Sequence, residues 1–230
     1  MTGASAILPR LQAAEDPERA AKMVRYHKTD RPVLGLGNPV INAAVSDWRE
    51  ERPVEAWIAE AEALWASGIF EARIAAGKLL IKARYSSHEA AVWNTIAGWA
   101  PDFDGWAIAD AVADAGGRRV MADLARLDAL EIWSRSDHLW TRRAAFVFTL
   151  GLARLRYPKP PEQAARERVL GWAAEAADAP DWFLQKAVSW WLRTLSDRDP
   201  GRVRAFLADH GARMAGFAQR DAARKLPPLA

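Results

Sequence analysis

The 230-residue chain contains no cysteine, which excludes disulfide bonds, thiolate nucleophiles and thiolate metal ligands. Its four histidines, His27, His88, His138 and His210, are scattered without an HxxxH pair, so a zinc site is not expected. No segment approaches the roughly 20 apolar residues of a membrane-spanning helix, and the acidic N-terminal region is not typical of a signal peptide. We therefore expect a cytoplasmic protein that uses neither a metal nor a cofactor.

The sequence also lacks the glycine-rich phosphate loops and the nucleophile elbow that mark nucleotide-binding proteins and serine hydrolases. The tract LGLGNP at 34–39 is too short for such a loop and has no preceding strand, so we interpret it as a turn before a helix. No alternating strand pattern is found, whereas Ala, Leu, Glu and Arg are abundant. These observations predict an all-helical chain.

Prolines and glycines divide the sequence into helices of about 10–16 residues. Pro53 begins one that Gly68 ends, Gly116-Gly117 ends another, and YPKPP at 157–161 is the clearest loop. Asp199 followed by Pro200 predicts a capped helix start.

A weak internal repeat runs through the chain. A polar or charged residue followed by small or branched apolar residues recurs at Asn42, Arg73, Asp110, Arg143 and Lys186, with spacings of 31, 37, 33 and 43 residues. This period is near that of two-helix HEAT-like repeats. We therefore predict a right-handed-type α-solenoid with a concave basic groove. It would form one domain over 1–230, with 1–16 and 222–230 expected to be less well ordered.

Charged residues are unevenly distributed along the chain, and tryptophan is abundant. Residues 1–138 hold 16 Lys+Arg against 20 Asp+Glu, whereas 139–230 hold 16 against 9. A basic second half indicates a surface that faces a polyanion, although a solvated basic face is the simpler interpretation. The twelve tryptophans must be mainly packing residues, with a few available as stacking or cation-binding platforms.

Three pairs of side chains are candidates for chemistry. Trp106 and Asp110 are four residues apart and share a helix face, which suits a cationic ligand; a core Trp beside a surface Asp is the alternative. Trp190 likewise follows Lys186 by four residues, whereas Trp191 points elsewhere and is expected to be a core residue. Arg142 and Arg143 lie about 100° apart on a helix, so only one can face a groove, and the repeat register assigns that place to Arg143.

The chain resembles the AlkD-like DNA alkylation repair family, whose members are HEAT-like-repeat DNA glycosylases. The resemblance rests on EARIAAGKLL (71–80), WAIAD (106–110), LWTRRAAFVFTL (139–150) and LQKAVSWWLR (184–193), in this order and spacing. It covers most of the chain and is weakest before residue 50 and after 210. One departure is the tract Val40-Ile41-Asn42, where the family usually has two arginines.

The resemblance implies a monofunctional glycosylase, most simply a monomer, that excises N3- or N7-alkylated purines from duplex DNA. The residues it implies as catalytic are Asp110, Trp106 and Arg143. Six further residues are predicted to contact DNA or the lesion, either because the resemblance implies it or because of the repeat register and charge pattern. They are Trp190, Lys186, Arg142, Arg73, Arg193 and Tyr26. Two alternatives stay open: a non-catalytic DNA-binding protein of the same fold, and a helical-repeat scaffold for a peptide or an acidic partner.

Overall fold

The computed structural model describes residues 4–50 and 52–228, whose regular secondary structure is entirely helical, with no strand. The chain divides into two compact units, one ending at Arg119 and one beginning at Val120. The helices that begin in the first unit are α1 Leu8–Gln12, α2 Pro17–His27, α3 Asn38–Arg49, α4 Val54–Ala66, α5 Phe70–Leu79, α6 Glu89–Gly98 and α7 Trp106–Ala122. Those of the second are α8 Leu127–Ser134, α9 Leu139–Phe148, α10 Leu150–Arg154, α11 Pro160–Glu175, α12 Trp182–Ser196, α13 Pro200–His210 and α14 Gly216–Ala223.

In the first unit, α5 is the central helix and packs against α3 and α4. Nine of its ten residues are buried, so it has no face exposed to solvent. Gly77 lets α7 approach closely, because a Cβ at this position would lie 3.1 Å from the carbonyl oxygen of Ala111. This contact places α7 directly against the core helix.

Two buried carboxylates connect loops to the core of this unit. Glu71 on α5 accepts backbone N–H bonds from Leu34, Gly35 and Leu36 at 2.9, 2.8 and 3.1 Å. Glu60 on α4 likewise accepts backbone N–H bonds from the segment just before α1, from the amides of Ala6 and Ile7 at 3.0 and 2.8 Å. Charged acceptors of this kind stabilise otherwise unpaired amide groups where no regular secondary structure can do so.

In the second unit, α12 is the central helix and packs against α9, α10, α13 and α14. Trp191 at its middle is fully buried and donates its indole N–H to the carbonyl of Thr149, with 3.3 Å between the two atoms. The prediction that Trp191 is a core residue is therefore confirmed. The start of α13 is also as expected, because the Asp199 side chain accepts the amide of Arg202 at 3.0 Å.

The predicted helix end at Gly116-Gly117 is wrong, because α7 continues to Ala122. The side chain of Arg119, just beyond the glycines, is fully buried and reaches Glu89 at 2.7 Å and the carbonyl of Ala83 at 3.0 Å. These tertiary contacts outweigh the low helix propensity of two glycines, roughly 1 kcal/mol each. The next helix begins only after a turn that Asp123 caps through the amide of Ala125.

At the two ends of the chain, residues 1–3 and 229–230 lie outside the described residues. Within the rest of 1–16, Ile7 and Leu11 are fully buried, and α14 extends to Ala223 near the other end. No helix among the described residues has the length and apolar character needed to cross a membrane.

Candidate functional site

The pair Trp106 and Asp110 lies on the first turns of α7, and both side chains are partly exposed. Between them, Ile108 and Ala109 are buried and face the core. Helical periodicity therefore puts the indole and the carboxylate on one side of α7 and the apolar residues on the other. The two side chains therefore lie on one partly exposed face of α7.

Tyr26 is brought to this face from the last turn of α2. Its ring stands edge-on to Trp106 with 6.0 Å between centroids, and the residue is 71% exposed. An exposed tyrosine beside a half-buried tryptophan is unusual for a core contact and suits a binding surface. The structure thus places Tyr26, Trp106 and Asp110 in one unit, with the first two in ring contact.

A small recess adjoins the Trp106 ring. His27, Thr29, Phe70 and Asp104 line it together with the first residues of α7. His27 fills one side, with its ring centroid 4.7 Å from that of Phe70 and 5.2 Å from that of Trp106. Asp104 forms an ion pair with Arg31, which also donates to the carbonyl of Gly68 at 3.2 Å.

Arg73, predicted as a DNA contact, is only 8% exposed. Its guanidinium carbon lies 4.3 Å from the ring centroid of Trp65, and its Nη1 donates to the carbonyl of Asp102 at 2.9 Å. Burial lowers the pKa of Arg73, the charge of Arg31 acts in the same direction, and Asp102 opposes both. The charge is held inside the first unit, so its surroundings do not support a contact to DNA.

Arg143 is also buried, at 4% exposure, whereas Arg142 is half-buried. Arg143 donates from Nη1 to the carbonyl of Phe183 in the first turn of α12, at 2.9 Å. Arg142 donates from Nε to the carbonyl of Ser134 at 3.1 Å. The two arginines thus differ in burial, and the fold encloses Arg143, the one that the repeat register assigned to a groove.

Lys186 and Arg193 meet on α12 around Asp221 of α14. Arg193 forms an ion pair with this carboxylate, and the Lys186 nitrogen lies 3.6 Å from it. Burial alone would raise the pKa of Asp221, but the hydrogen bond from Ser189 and the two cations together lower it below its ordinary value. Both predicted DNA-contacting cations thus have an acidic neighbour, Asp221, that residue spacing did not indicate.

Trp190, the predicted second aromatic, is half-buried on the same helix. A further aromatic row lies at the start of α12, where the ring centroid of Phe183 is 4.9 Å from that of Trp140 and 5.0 Å from that of Trp182. Trp182 is 53% exposed and stacks on Phe217 at 5.4 Å. The sequence contains one signal that could have identified Trp182. It precedes Lys186 by four residues and Trp190 by eight, which places all three near one side of the helix.

Comparison with known proteins identifies the fold. A solved structure from Enterococcus faecalis, described as a predicted DNA alkylation repair enzyme, is similar over 100% of both chains, with 21% identity and a TM-score of 0.76. AlkD2 from Streptococcus mutans is similar over 92% of this chain and 99% of its own, with 15% identity and a TM-score of 0.62. No protein of curated function matches the sequence significantly. The predicted all-α, HEAT-like-repeat fold is thereby confirmed.

The family follows from the sequence match. The family model described as DNA alkylation repair enzyme matches residues 7–226, which is nearly the whole chain and includes both groups of site residues. The chain therefore belongs to the family of DNA alkylation repair enzymes.

Proposed function

We propose that the protein is a DNA glycosylase that hydrolyses the N-glycosidic bond of cationic N3- or N7-alkylated purines in duplex DNA. The observation that carries the proposal is the partly exposed face that Trp106 and Asp110 share on α7, with Tyr26 beside Trp106. An indole face attracts cations, and a carboxylate stabilises positive charge where water is limited. The face therefore suits a positively charged nucleotide.

In this mechanism, Asp110 acts on the sugar. An alkylated purine is already a cation and leaves without being protonated, so the remaining barrier lies in the positive charge that develops on the deoxyribose. One ionised carboxylate stabilises that charge and orients the attacking water, as a carboxylate does in glycoside hydrolysis. Trp106 and Tyr26 hold the nucleotide through contacts to its charged base or sugar.

The second unit contributes binding through α12. Lys186 and Trp190 share one side of this helix, and both are half-buried. Arg143 supports them indirectly, because its bond to the carbonyl of Phe183 fixes the first turn of α12. We therefore assign Arg143 a positioning role, in place of the catalytic role that the resemblance implied.

A basic patch on the first unit suits a phosphate backbone. It consists of Arg49, Lys82, Arg84 and Arg118, at or just beyond the ends of α3 and α5 and near the end of α7. Among the described residues, no carboxylate pairs with Lys82, Arg84 or Arg118, and all three are exposed. The patch is notable because the first 138 residues carry more acids than bases.

The double variant Lys82→Ala/Arg84→Ala is expected to weaken duplex binding and to flatten its salt dependence. Each lost phosphate contact lowers the slope of log K against log [salt] by about 1, since fewer counterions are released. Titrations at several salt concentrations measure the slope. Arg10→Ala/Lys22→Ala removes the same charge from exposed positions on α1 and α2 and serves as the control. An unchanged slope in the first variant would exclude the patch as a DNA contact.

The function itself is tested by incubating the protein with methylated duplex DNA and measuring free 7-methylguanine and 3-methyladenine. We expect release of both cationic bases, and no release of neutral O6-methylguanine from a matched duplex, because the mechanism depends on the charge of the leaving group. Binding that is sensitive to salt but releases no base would instead support the non-catalytic DNA-binding alternative. Absence of DNA binding at physiological salt would favour a protein scaffold.

A further inference from the structure

His27 is the unexplained residue at the candidate site. It is the last residue of α2, and the left-handed conformation of Lys28 (φ 52°) ends the helix immediately after it. Its ring lies between Phe70 and Trp106 and meets the edge of Tyr26 at 4.9 Å between centroids. No other side chain is in ring contact with both proposed nucleotide-holding aromatics among the described residues.

The surroundings of His27 favour the neutral imidazole. Its Nδ1 atom is buried without a hydrogen-bond partner among the described residues. A protonated ring would need an acceptor there, because an unpaired buried donor that carries charge is costly. Burial accordingly lowers the pKa of His27 below its ordinary value of 6.5, against a smaller raising effect of Glu71.

Two carboxylates lie close enough to affect the ring or share its recess, and both already have partners. Glu71 on α5 accepts three backbone amides, and Asp104 before α7 forms an ion pair with Arg31. On α7 itself, Asp110 is one turn beyond Trp106, and on α2 the adjacent group is the Tyr26 phenol. Protonation of His27 would therefore compete with contacts that the fold already uses.

We propose that neutral His27 is a positioning residue that holds the Trp106 indole for a cationic nucleotide, and that acid disables the site by protonating it. The imidazolium would place a positive charge against the same indole that is to attract the alkylated purine. Two cations would then compete for one ring face. The neutral ring instead packs as an aromatic spacer and leaves the indole available.

The lowered pKa of His27 determines the direction in which the site depends on pH. Because the folded protein holds a proton at His27 less readily than the unfolded chain does, the neutral arrangement is complete above the ordinary histidine pKa. It is lost as the pH falls through the lower value in the folded state. Base release is expected to fall in the same direction, through loss of the Trp106 position.

The catalytic test rests on the proposed function and compares His27→Phe with the wild type. Phenylalanine keeps a ring between Phe70 and Trp106 but cannot be protonated. We expect wild-type base release under saturating, single-turnover conditions to be roughly threefold or more lower at a pH half a unit below the midpoint of the His27 titration than at about pH 7.5. The rate of His27→Phe, expressed relative to its own value at the upper pH, should lose this fall. His88→Phe, which changes a surface histidine paired with Glu55, should keep it. An equal fall in wild type and His27→Phe overturns the proposal.

A spectroscopic readout does not depend on activity. In NMR spectra of the wild-type protein, the His27 imidazole signals should titrate below pH 6.5, the ordinary value. The Trp106 indole N–H signal, assigned through its absence in Trp106→Phe, should move with the same midpoint. A midpoint at or above the ordinary value, or an indole signal that stays constant, contradicts the positioning role. If the wild type releases no base at any pH, the proposed function fails, and this titration still decides the role of His27.

Discussion

Replacing Asp110 by asparagine is expected to reduce the rate of base release by about 100- to 1,000-fold, the usual effect of removing one electrostatic contact to a developing charge. Asparagine has almost the same shape and still forms hydrogen bonds, so the fold and the neighbouring Trp106 should be unaffected. What is lost is the negative charge that opposes the positive sugar. The rate reduction corresponds to roughly 3–4 kcal/mol of transition-state stabilisation. Single-turnover kinetics on a duplex with one N7-methylguanine measure it directly.

The matched control is Asp114→Asn, one turn further along α7 at an exposed position. It removes the same charge from the same helix, so any general electrostatic effect on DNA binding appears in both variants. We expect Asp114→Asn to release base at a rate within about twofold of the wild type, as surface substitutions usually have small effects. Equal rates for wild type and Asp110→Asn would exclude Asp110 as the catalytic carboxylate.

The largest expected effect on stability is that of Gly35→Ala. Gly35 has a φ of +78°, and a Cβ at this position would lie 2.2 Å from the carbonyl oxygen of Asp16. Left-handed backbone costs a non-glycine residue about 1–2 kcal/mol, and relief of the clash requires α2 to move. The amide of Gly35 also donates to the buried Glu71, so displacement of Gly35 breaks that hydrogen bond as well. We expect a total loss of about 3 kcal/mol or more.

Thermal unfolding followed by circular dichroism should show this loss as a decrease in the midpoint of about 6–12 °C. Because the displaced helix α2 carries Tyr26 and His27, base release should fall together with stability. Gly98→Ala is the control, since a Cβ at this helical position meets no atom within 4 Å. That variant should be neutral or slightly stabilising, because alanine has the higher helix propensity. A similar midpoint for both variants would contradict the packing role of Gly35.

Much of the fold could be predicted from local signals. The helix start at Asp199-Pro200 depends on a cap and a proline, which act within one turn, and the structure confirms it. The helix end at Gly116-Gly117 failed because the deciding contacts come from Glu89 and Ala83, about 30 residues away in the chain. Local glycine propensity cannot reveal such contacts.

In the candidate site, too, local features could be predicted from the sequence and long-range contacts could not. The face shared by Trp106 and Asp110 follows from a spacing of four residues, which the sequence displays directly. The burial of Arg73 and Arg143 does not follow from spacing, because their hydrogen-bond acceptors include carbonyl groups in other segments, at Asp102 and Phe183. His27 carried no signal at all, since a single histidine next to a tyrosine indicates neither burial nor ring contact.

The most direct test of the proposed function is a single-turnover reaction of the wild-type protein with a duplex that contains one N7-methylguanine. The proposal predicts free 7-methylguanine, released well above the spontaneous rate, and an abasic strand that stays intact until it is treated with alkali. Strand cleavage without that treatment would contradict a monofunctional hydrolase. DNA that is bound while the base stays attached would contradict glycosylase activity altogether.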